Sequence, residues 1–354
     1  MASDTIMIYR IGSLGDTLMA LPAFNRIREL FPSEKIVLLS NKPVVSKAAA
    51  IELVLGNHFF FDEIINYPVS TRNVKLLIAL IFKIRSYKIK QLFYLTPCTS
   101  RKRFKRDILF FKLAGVKSFA AIPEIEADFT VTKDIDTGLY EWEAKRIARR
   151  LIPSGTFDFN EQKYWDLHLT KSELAAGNGY IKHLPKNSIN ICVSPGTKMQ
   201  SKDWGRDNWM AFLTALSISY PSANIIVLGA QEESALADDL LNGITNSKIN
   251  LCGRTSPRES AVILQSASVF IGQDSGPMHL AATVGIPCVA IFSSRNLPMQ
   301  WFPRGNKNVI IYHMVDCAGC DLEICIKQKK KCILSITVSE VISAVHHVLS
   351  NTTI

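Results

Sequence analysis

Apolar and polar positions along the chain alternate between short hydrophobic runs and longer stretches with helical spacing, the pattern of a parallel α/β sheet. In the first half, TIMIYRI (5–11) reads as a buried strand. DTLMALPAFNRIRELF (16–31) follows as a helix, with Leu18, Leu21, Ile27 and Leu30 at helical intervals. KIVLLS (35–40) predicts the next strand and VVSKAAAIELVL (44–55) the next helix. FDEIINY, IKQLFYLT and SFAAI read as further strands, with helices around 73–88 and 103–114. A second series begins near 189. The strands INICVSPG, NIIVLGA, KINLCGR, SVFIGQD and PCVAIFS alternate with the helices RDNWMAFLTALSISY, EESALADDLLNGI, SPRESAVILQSA and GPMHLAATVG.

Between the two series, 124–186 is charged and irregular, with one helical piece, YEWEAKRIARRLI (140–152). The expected organisation is a Rossmann-like domain over 1–165, a second over 166–335, and a C-terminal segment, 336–354. The last contains TVSEVISAVHHVL (337–349), which reads as a capped amphipathic helix. Two doubly wound domains in tandem would place the carboxyl ends of their sheets across a cleft. Ligands bind at such ends, near the switch in strand order.

The chain of 354 residues is 47% hydrophobic, enough for two cores. Its longest uninterrupted apolar stretch, Leu76 to Phe82, is too short to span a bilayer, and the first residues do not read as a signal peptide. A soluble, cytoplasmic protein is the expectation. Part of the net charge of +10 is concentrated in KIRSYKIK (83–90) and RKRFKR (101–106). Such clusters attract nucleic acid, anionic lipid or a phosphorylated substrate, or serve as solvated helix faces. The sequence holds no nucleic-acid-binding motif.

Four loops after strands carry chemistry. RIGSLGDT (10–17) is a Gly-x-x-Gly turn in which Gly12, Ser13 and Gly15 allow close ligand approach. Asp16 falls at the expected helix N-cap and is either a cap alone or a carboxylate able to act as a general base. SPGTKMQSKDWGRDNW (194–209) offers Thr197, Lys198, Lys202 and Arg206 to a diphosphate, while Trp204 and Trp209 indicate a loop packed down. In GAQEES (229–234), Glu232 and Glu233 either complement a helix dipole or take the hydroxyl pair of a ribose. In GQDSGPMHLAATVGIP (272–287), Pro277 suits a first helical turn. The N–H groups around Gly276 and Met278 would meet an anion. Asp274 and Ser275 are left for sugar hydroxyls, and His279 is either a core histidine or a donor to a phosphate oxygen.

The stretches YRIGSLGDTLMALPAF, SKDW and DSGPMHLAATVGIP, in this order and spacing, resemble the heptosyltransferases of glycosyltransferase family 9. The resemblance runs from Met7 to about Leu349 and is thinnest between 60 and 185. It implies a GT-B fold and an inverting, cofactor-free and metal-independent transfer of heptose from ADP-heptose to the lipopolysaccharide inner core. Asp16 would be the catalytic base and Lys202 the group that neutralises the departing diphosphate, with Thr197 beside it. Glu233, or else Glu232, would bind the ribose. Asp274, Ser275, Gly276, Pro277, Met278 and His279 would hold the donor's diphosphate and sugar. The first domain would bind the acceptor, with Lys83, Arg85, Arg101, Lys102 and Arg103 facing its phosphates and the inner leaflet. The last helix would fold back on that domain. Another nucleotide sugar, a protein acceptor, and a non-catalytic nucleotide-sugar or metal binder are the other readings, and no residue reads adenine over uracil.

Cys317, Cys320, Cys325 and Cys332 form a separate cluster with spacing Cys-x2-Cys-x4-Cys-x6-Cys. Such a set serves as structural thiols or binds zinc or an iron–sulfur cluster. DID (134–136) imitates a metal-binding Asp-x-Asp but lies away from any strand end and reads as surface.

Overall fold

A computed structural model describes residues 4–41, 49–56, 58–68, 71, 73–98, 100–154, 158 and 160–351. The chain divides between His168 and Leu169 into two α/β units.

The first unit contains β1 (Thr5–Tyr9), α1 (Leu14–Met19), α2 (Leu21–Leu30), β2 (Lys35–Asn41) and α3 (Ile51–Leu55). There follow β3 (Glu63–Tyr67), α4 (Val74–Ser86), β4 (Ile89–Tyr94), α5 (Arg101–Leu113), β5 (Phe119–Ala120) and α6 (Glu143–Ala148). The strands form one parallel sheet in the order β3-β2-β1-β4-β5, so the chain reverses direction across the sheet between β1 and β4. Met7, Tyr9, Val37, Leu39 and Leu92 share one apolar cluster with Leu80 and Ile84 of α4 and Phe111 of α5. These two helices therefore cover the same face of the sheet. The helix expected over 16–31 is two helices that break at Ala20. Pro22, in the first turn of the second, lacks the N–H that a continuous helix would need there. Of the helix expected over 44–55, residues 51–55 form α3, and 44–48 lie outside the described residues.

The second unit begins with α7 (Lys171–Ile181), β6 (Asn190–Ser194), α8 (Arg206–Ser219), β7 (Asn224–Val227) and α9 (Ser234–Asn242). It continues with β8 (Lys248–Asn250), α10 (Pro257–Gln265), β9 (Val269–Gln273), α11 (Gly276–Thr283) and β10 (Cys288–Phe292). β11 (Val309–Tyr312), α12 (Lys331–Leu334) and α13 (Val338–Ser350) complete it. Its six parallel strands run β11-β10-β9-β6-β7-β8, with the reversal between β6 and β9. The sequence pattern missed α7 and β11.

α13 closes the chain. Thr337 caps it with Glu340 in a capping box, as an amphipathic helix predicts. It buries Val341, Val345 and Val348 in the second unit's core, against α8 and β9–β11.

Candidate active site

In each unit, the loop after the strand at the reversal point holds the candidate chemistry, where open α/β sheets bind ligands. In the first unit that loop is Arg10–Ser13, between β1 and α1. Ile11 N–H donates to Thr96 Oγ1 at 3.1 Å, and Gly12 N–H donates to Asn41 Oδ1 at 3.0 Å. Thr96 follows β4 and Asn41 ends β2, so the neighbouring strands on both sides hold the loop. Beneath it lies Arg10, fully buried, donating to the carbonyls of Leu95 (2.7 Å) and Asp16. Burial pulls the Arg10 guanidinium below its ordinary value, while the charges of Asp16 and Glu143 oppose that.

Ser13, and not Asp16, is the N-cap of α1. Asp16 is the third helical residue and closes a capping box. Its Oδ2 accepts from both Ser13 N–H and Ser13 Oγ at 2.8 Å, and Oδ1 takes part in neither bond. Gly12 has φ +157°, and a Cβ there would lie 2.4 Å from Asp16 Cβ. Only glycine lets this carboxylate fold back over the turn. Gly15 is buried within α1.

In the second unit, the loop after β6 leads into a single 3-10 turn, Gln200–Lys202. Lys202 Nζ lies 2.6 Å from Asp274 Oδ2 and 3.4 Å from the Asp274 carbonyl, so it stands directly ahead of the first turn of α11. Asp274 is 4% exposed and also accepts from Asn296 Nδ2 at 2.6 Å. Its carboxylate is therefore turned toward Lys202 and Asn296. Ser275 is the N-cap of α11, Gly276 and Pro277 form its first turn, and Met278 points into the core. That turn leaves the N–H groups of Gly276 and Met278 without carbonyls one turn earlier in the helix. Pro277 supplies no N–H at all, as expected near a helix start.

His279 is drawn inward. It is 3% exposed, with Nε2 3.9 Å from Asp274 Oδ1 and its ring edge-on to Trp301. One turn into α11 its side chain is already inside the core, behind Asp274. Arg206 is likewise committed elsewhere, pairing with Asp239 at 2.7 Å.

Glu233 and Glu232 separate. Glu233 caps its turn by accepting from Ala230 N–H at 2.8 Å, and its carboxyl fills space that two glycines leave open. A Cβ on Gly196 would fall 2.0 Å from Glu233 Cδ, and one on Gly229 would fall 2.4 Å from Oε2. Glu233 thus sits at the ends of β6 and β7, whereas Glu232 is exposed. Thr197, next to Gly196 in the chain, is half-buried and accepts weakly from Met199 N–H at 3.4 Å. Ser194, Ser275, Ser293 and Ser294, all at the carboxyl ends of strands or just beyond, bury hydroxyl oxygens with no partner.

The sequence reading missed the residues that hold these loops. Fully buried Gln273 donates to the Pro195 carbonyl and accepts from Trp204 N–H, tying the β6 loop to β9. Trp204 and Trp209 are fully buried, edge to face at 5.2 Å, which packs the loop down as expected. Polar residues at strand ends were the available signal, but their partners are distant in sequence.

The four clustered cysteines are free thiols lining one small pocket with Ser201, Ser294 and Arg295. Among the described residues, no group of three or more His, Cys, Asp or Glu is arranged to hold a metal ion. The cysteine segment is fastened to the Lys202 turn. Ser201 N–H and Oγ donate to the carbonyls of Glu323 and Leu322, Cys325 N–H donates to Gln200 Oε1, and Lys330 Nζ donates to the Asp203 carbonyl. DID lies on the surface as expected, and Asp134 caps its own turn by accepting from the N–H groups of Asp136 and Thr137. Of the basic residues, Lys83, Arg85, Arg101 and Lys102 are exposed on α4 and α5, Arg103 is half-buried, and Arg101 pairs with Glu126.

Two parallel α/β units, each with its candidate loop at the strand reversal, give the chain a GT-B fold. Residues 144–331 match the family model for glycosyltransferase family 9 (heptosyltransferase), and the chain belongs to that family. It is similar to lipooligosaccharide heptosyltransferase 2 of Campylobacter jejuni, with 28% identity over 96% of each chain. Its fold matches the crystal structure of a family 9 glycosyltransferase from Veillonella parvula, with a TM-score of 0.73 at 16% identity over 99% of each chain. It also matches that of Escherichia coli ADP-heptose lipopolysaccharide heptosyltransferase II, with a TM-score of 0.65 at 15% identity, covering 98% of this chain and 99% of that one.

Proposed function

We propose that this glycosyltransferase moves a heptose from ADP-heptose to the inner core of lipopolysaccharide, inverting the anomeric carbon and using no metal. The observation that carries the reading is the Lys202–Asp274 pair, a cation held at 2.6 Å directly before the first turn of α11. When the anomeric C–O bond breaks, negative charge develops on the departing diphosphate. The Lys202 ammonium and the first N–H groups of α11 are placed to stabilise it, doing what a divalent cation does elsewhere. Asp274 and Asn296 position the lysine, and Ser275 and Thr197 supply hydroxyls. Glu233 binds the ribose, in preference to exposed Glu232. His279 orders Asp274 from behind.

Asp16 is the base. It takes the proton of the acceptor hydroxyl as that oxygen bonds to the anomeric carbon, and the electron pair of the broken bond leaves with ADP. Oδ1 is the atom for this role, since the capping bonds fall on Oδ2. Gly12, Ser13 and Gly15 shape the turn against the substrates. Lys83, Arg85, Arg101, Lys102 and Arg103 attract the phosphorylated acceptor on the cytoplasmic side of the inner membrane. The cysteine segment, bonded to Gln200, Ser201 and Asp203, braces the Lys202 turn through structural thiols. The names of the relatives, heptosyltransferases of lipooligosaccharide and lipopolysaccharide, support the sugar and the acceptor.

Calorimetric titration with ADP and UDP, on wild type and Lys202→Ala, tests the donor half. The expected result is ADP preferred over UDP, with the variant weakened by about 1.5–3 kcal/mol, the usual loss for a hydrogen bond to a charged group. Preference for UDP removes ADP-heptose as the donor. Equal ADP affinity in the variant removes Lys202 from the diphosphate.

A further inference from the structure

The middle of α4 is apolar all round. Its central run, Leu76 to Phe82, has no polar side chain, and helices of that kind are normally buried on every side. Here only one side is covered. Leu80 and Ile84 enter the core of the first unit, while Val74, Ile78 and Phe82, spaced four residues apart, form an outward stripe 65%, 47% and 62% exposed. α5 packs beside α4 and adds Leu109 and Leu113, also four apart and also exposed. The outward faces of the two helices thus present five large apolar side chains that nothing in the first unit's core accounts for.

The same faces are basic. Lys75 and Lys83 flank the α4 stripe, and Lys102, Lys105, Arg106 and Lys112 are exposed on α5. From Val74 to Lys117 the sequence holds twelve Lys and Arg against one acid, Asp107, which is itself buried. That segment carries a net charge of +11 in a chain whose total is +10, so the other 310 residues together sum to −1. The charge is local, not a property of the whole surface.

We propose that the outer faces of α4 and α5 dock on a bilayer carrying anionic lipid. Lysines and arginines beside large apolar side chains on an exposed helix fit an anionic headgroup layer, the charges meeting phosphates and the apolar stripe entering the acyl boundary. A phosphorylated sugar in solution would engage the charges but gives Val74, Ile78 and Phe82 nothing to bury against. A second copy of the chain would bury the stripe but set +11 against +11. The lipid surface satisfies both features. α4, with 13 residues, is about 20 Å long and lies flat on such a surface; it does not cross it. This surface rests on the transferase reading only in that the acceptor of that reading is itself lipid-borne.

Co-sedimentation of the full chain with vesicles of phosphatidylcholine alone, or of phosphatidylcholine with phosphatidylglycerol, tests the proposal. Wild type is expected to bind the mixed vesicles, to be released by salt, and to leave the neutral ones. Ile78→Ser/Phe82→Ser, at exposed positions, is expected to bind about tenfold more weakly, and Lys75→Glu/Lys105→Glu to lose the preference for anionic vesicles. Transfer to a lipid-free acceptor fragment, measured in parallel, reads the enzyme apart from its docking. Binding unchanged in the serine double variant, or abolished in wild type by inorganic phosphate, means the charges alone recognise phosphate and overturns the proposal. Failure of wild type to bind mixed vesicles overturns it too, as does dimerisation that this variant abolishes.

Discussion

Lys202 and Asp274 are both largely withdrawn from water, with side chains 13% and 4% exposed. Removing one member of such a pair strands the other, which costs more than the pair contributes. Lys202→Ala is expected to lower unfolding free energy by roughly 3 kcal/mol. Lys202→Ala/Asp274→Ala is expected to recover part of that loss. Urea unfolding checks both, and a double variant as unstable as the sum of the singles would contradict the pairing. Gly12 makes a second case. A methyl group there collides with Asp16, so Gly12→Ala is expected to displace the proposed base and lower kcat on the order of a hundredfold, as small misplacements of a reacting group do. Wild-type kcat would show that the turn tolerates a side chain and that Asp16 is not held as described. Both residues stood out in the sequence because glycine and acid at a strand-to-helix turn break the apolar pattern. Asn41, Thr96, Gln273 and Asn296 did not. Each is one polar residue among many, and its meaning comes from a partner reached only after folding. Asp274 and His279 were visible, but their inward orientation was not, since a helix start looks the same in sequence whichever way its side chains turn.

At the scale of elements, strands of the two sheets were legible because buried parallel strands are continuous apolar runs. α7 was not. It contains Gly177 and Gly179 and has no broad apolar stripe, because it packs by close approach: a Cβ on Gly177 would sit 2.6 Å from Val262 Cβ of α10. Its other anchor is electrostatic. Glu173 caps α7 through Thr170 and bonds Arg258 of α10 at 2.6 Å. Burial raises the Glu173 carboxyl, but the bonds from Arg258 and Thr170 outweigh it and hold it down to about 2. A carboxyl depressed in the folded state adds stability that is present above its ordinary value near 4.3. That stability fades as pH falls toward about 2. Glu173→Gln is therefore expected to be less stable than wild type at neutral pH, with the gap closing between about pH 5 and pH 2. A gap independent of pH would assign Glu173 to packing alone. β11 escaped notice for a different reason. It is the half-buried edge of its sheet, where the apolar run is shortest of signal.

Across the whole molecule, the second unit combines the sheet edge proposed to bind the nucleotide with a cysteine segment bonded to its lysine turn. That segment works as a brace if its thiols need no metal. Exhaustive dialysis against a chelator is then expected to leave kcat unchanged, and a loss restored by zinc or iron would contradict it. The charge asymmetry of the first unit is also a whole-molecule property, invisible in the net figure of +10 and plain once 74–117 is separated from the rest. In the proposed reaction Asp16 removes the acceptor proton during transfer from ADP-heptose. Asp16→Asn tests it most directly, because asparagine keeps an oxygen for the Ser13 bonds but cannot take up a proton. With ADP-heptose and a heptose-deficient core acceptor, the variant should bind donor as wild type does. Its transfer should be slower by about 10²–10⁴-fold. Transfer at the wild-type rate would contradict the account, leaving Asp16 a helix cap and the base still to be found.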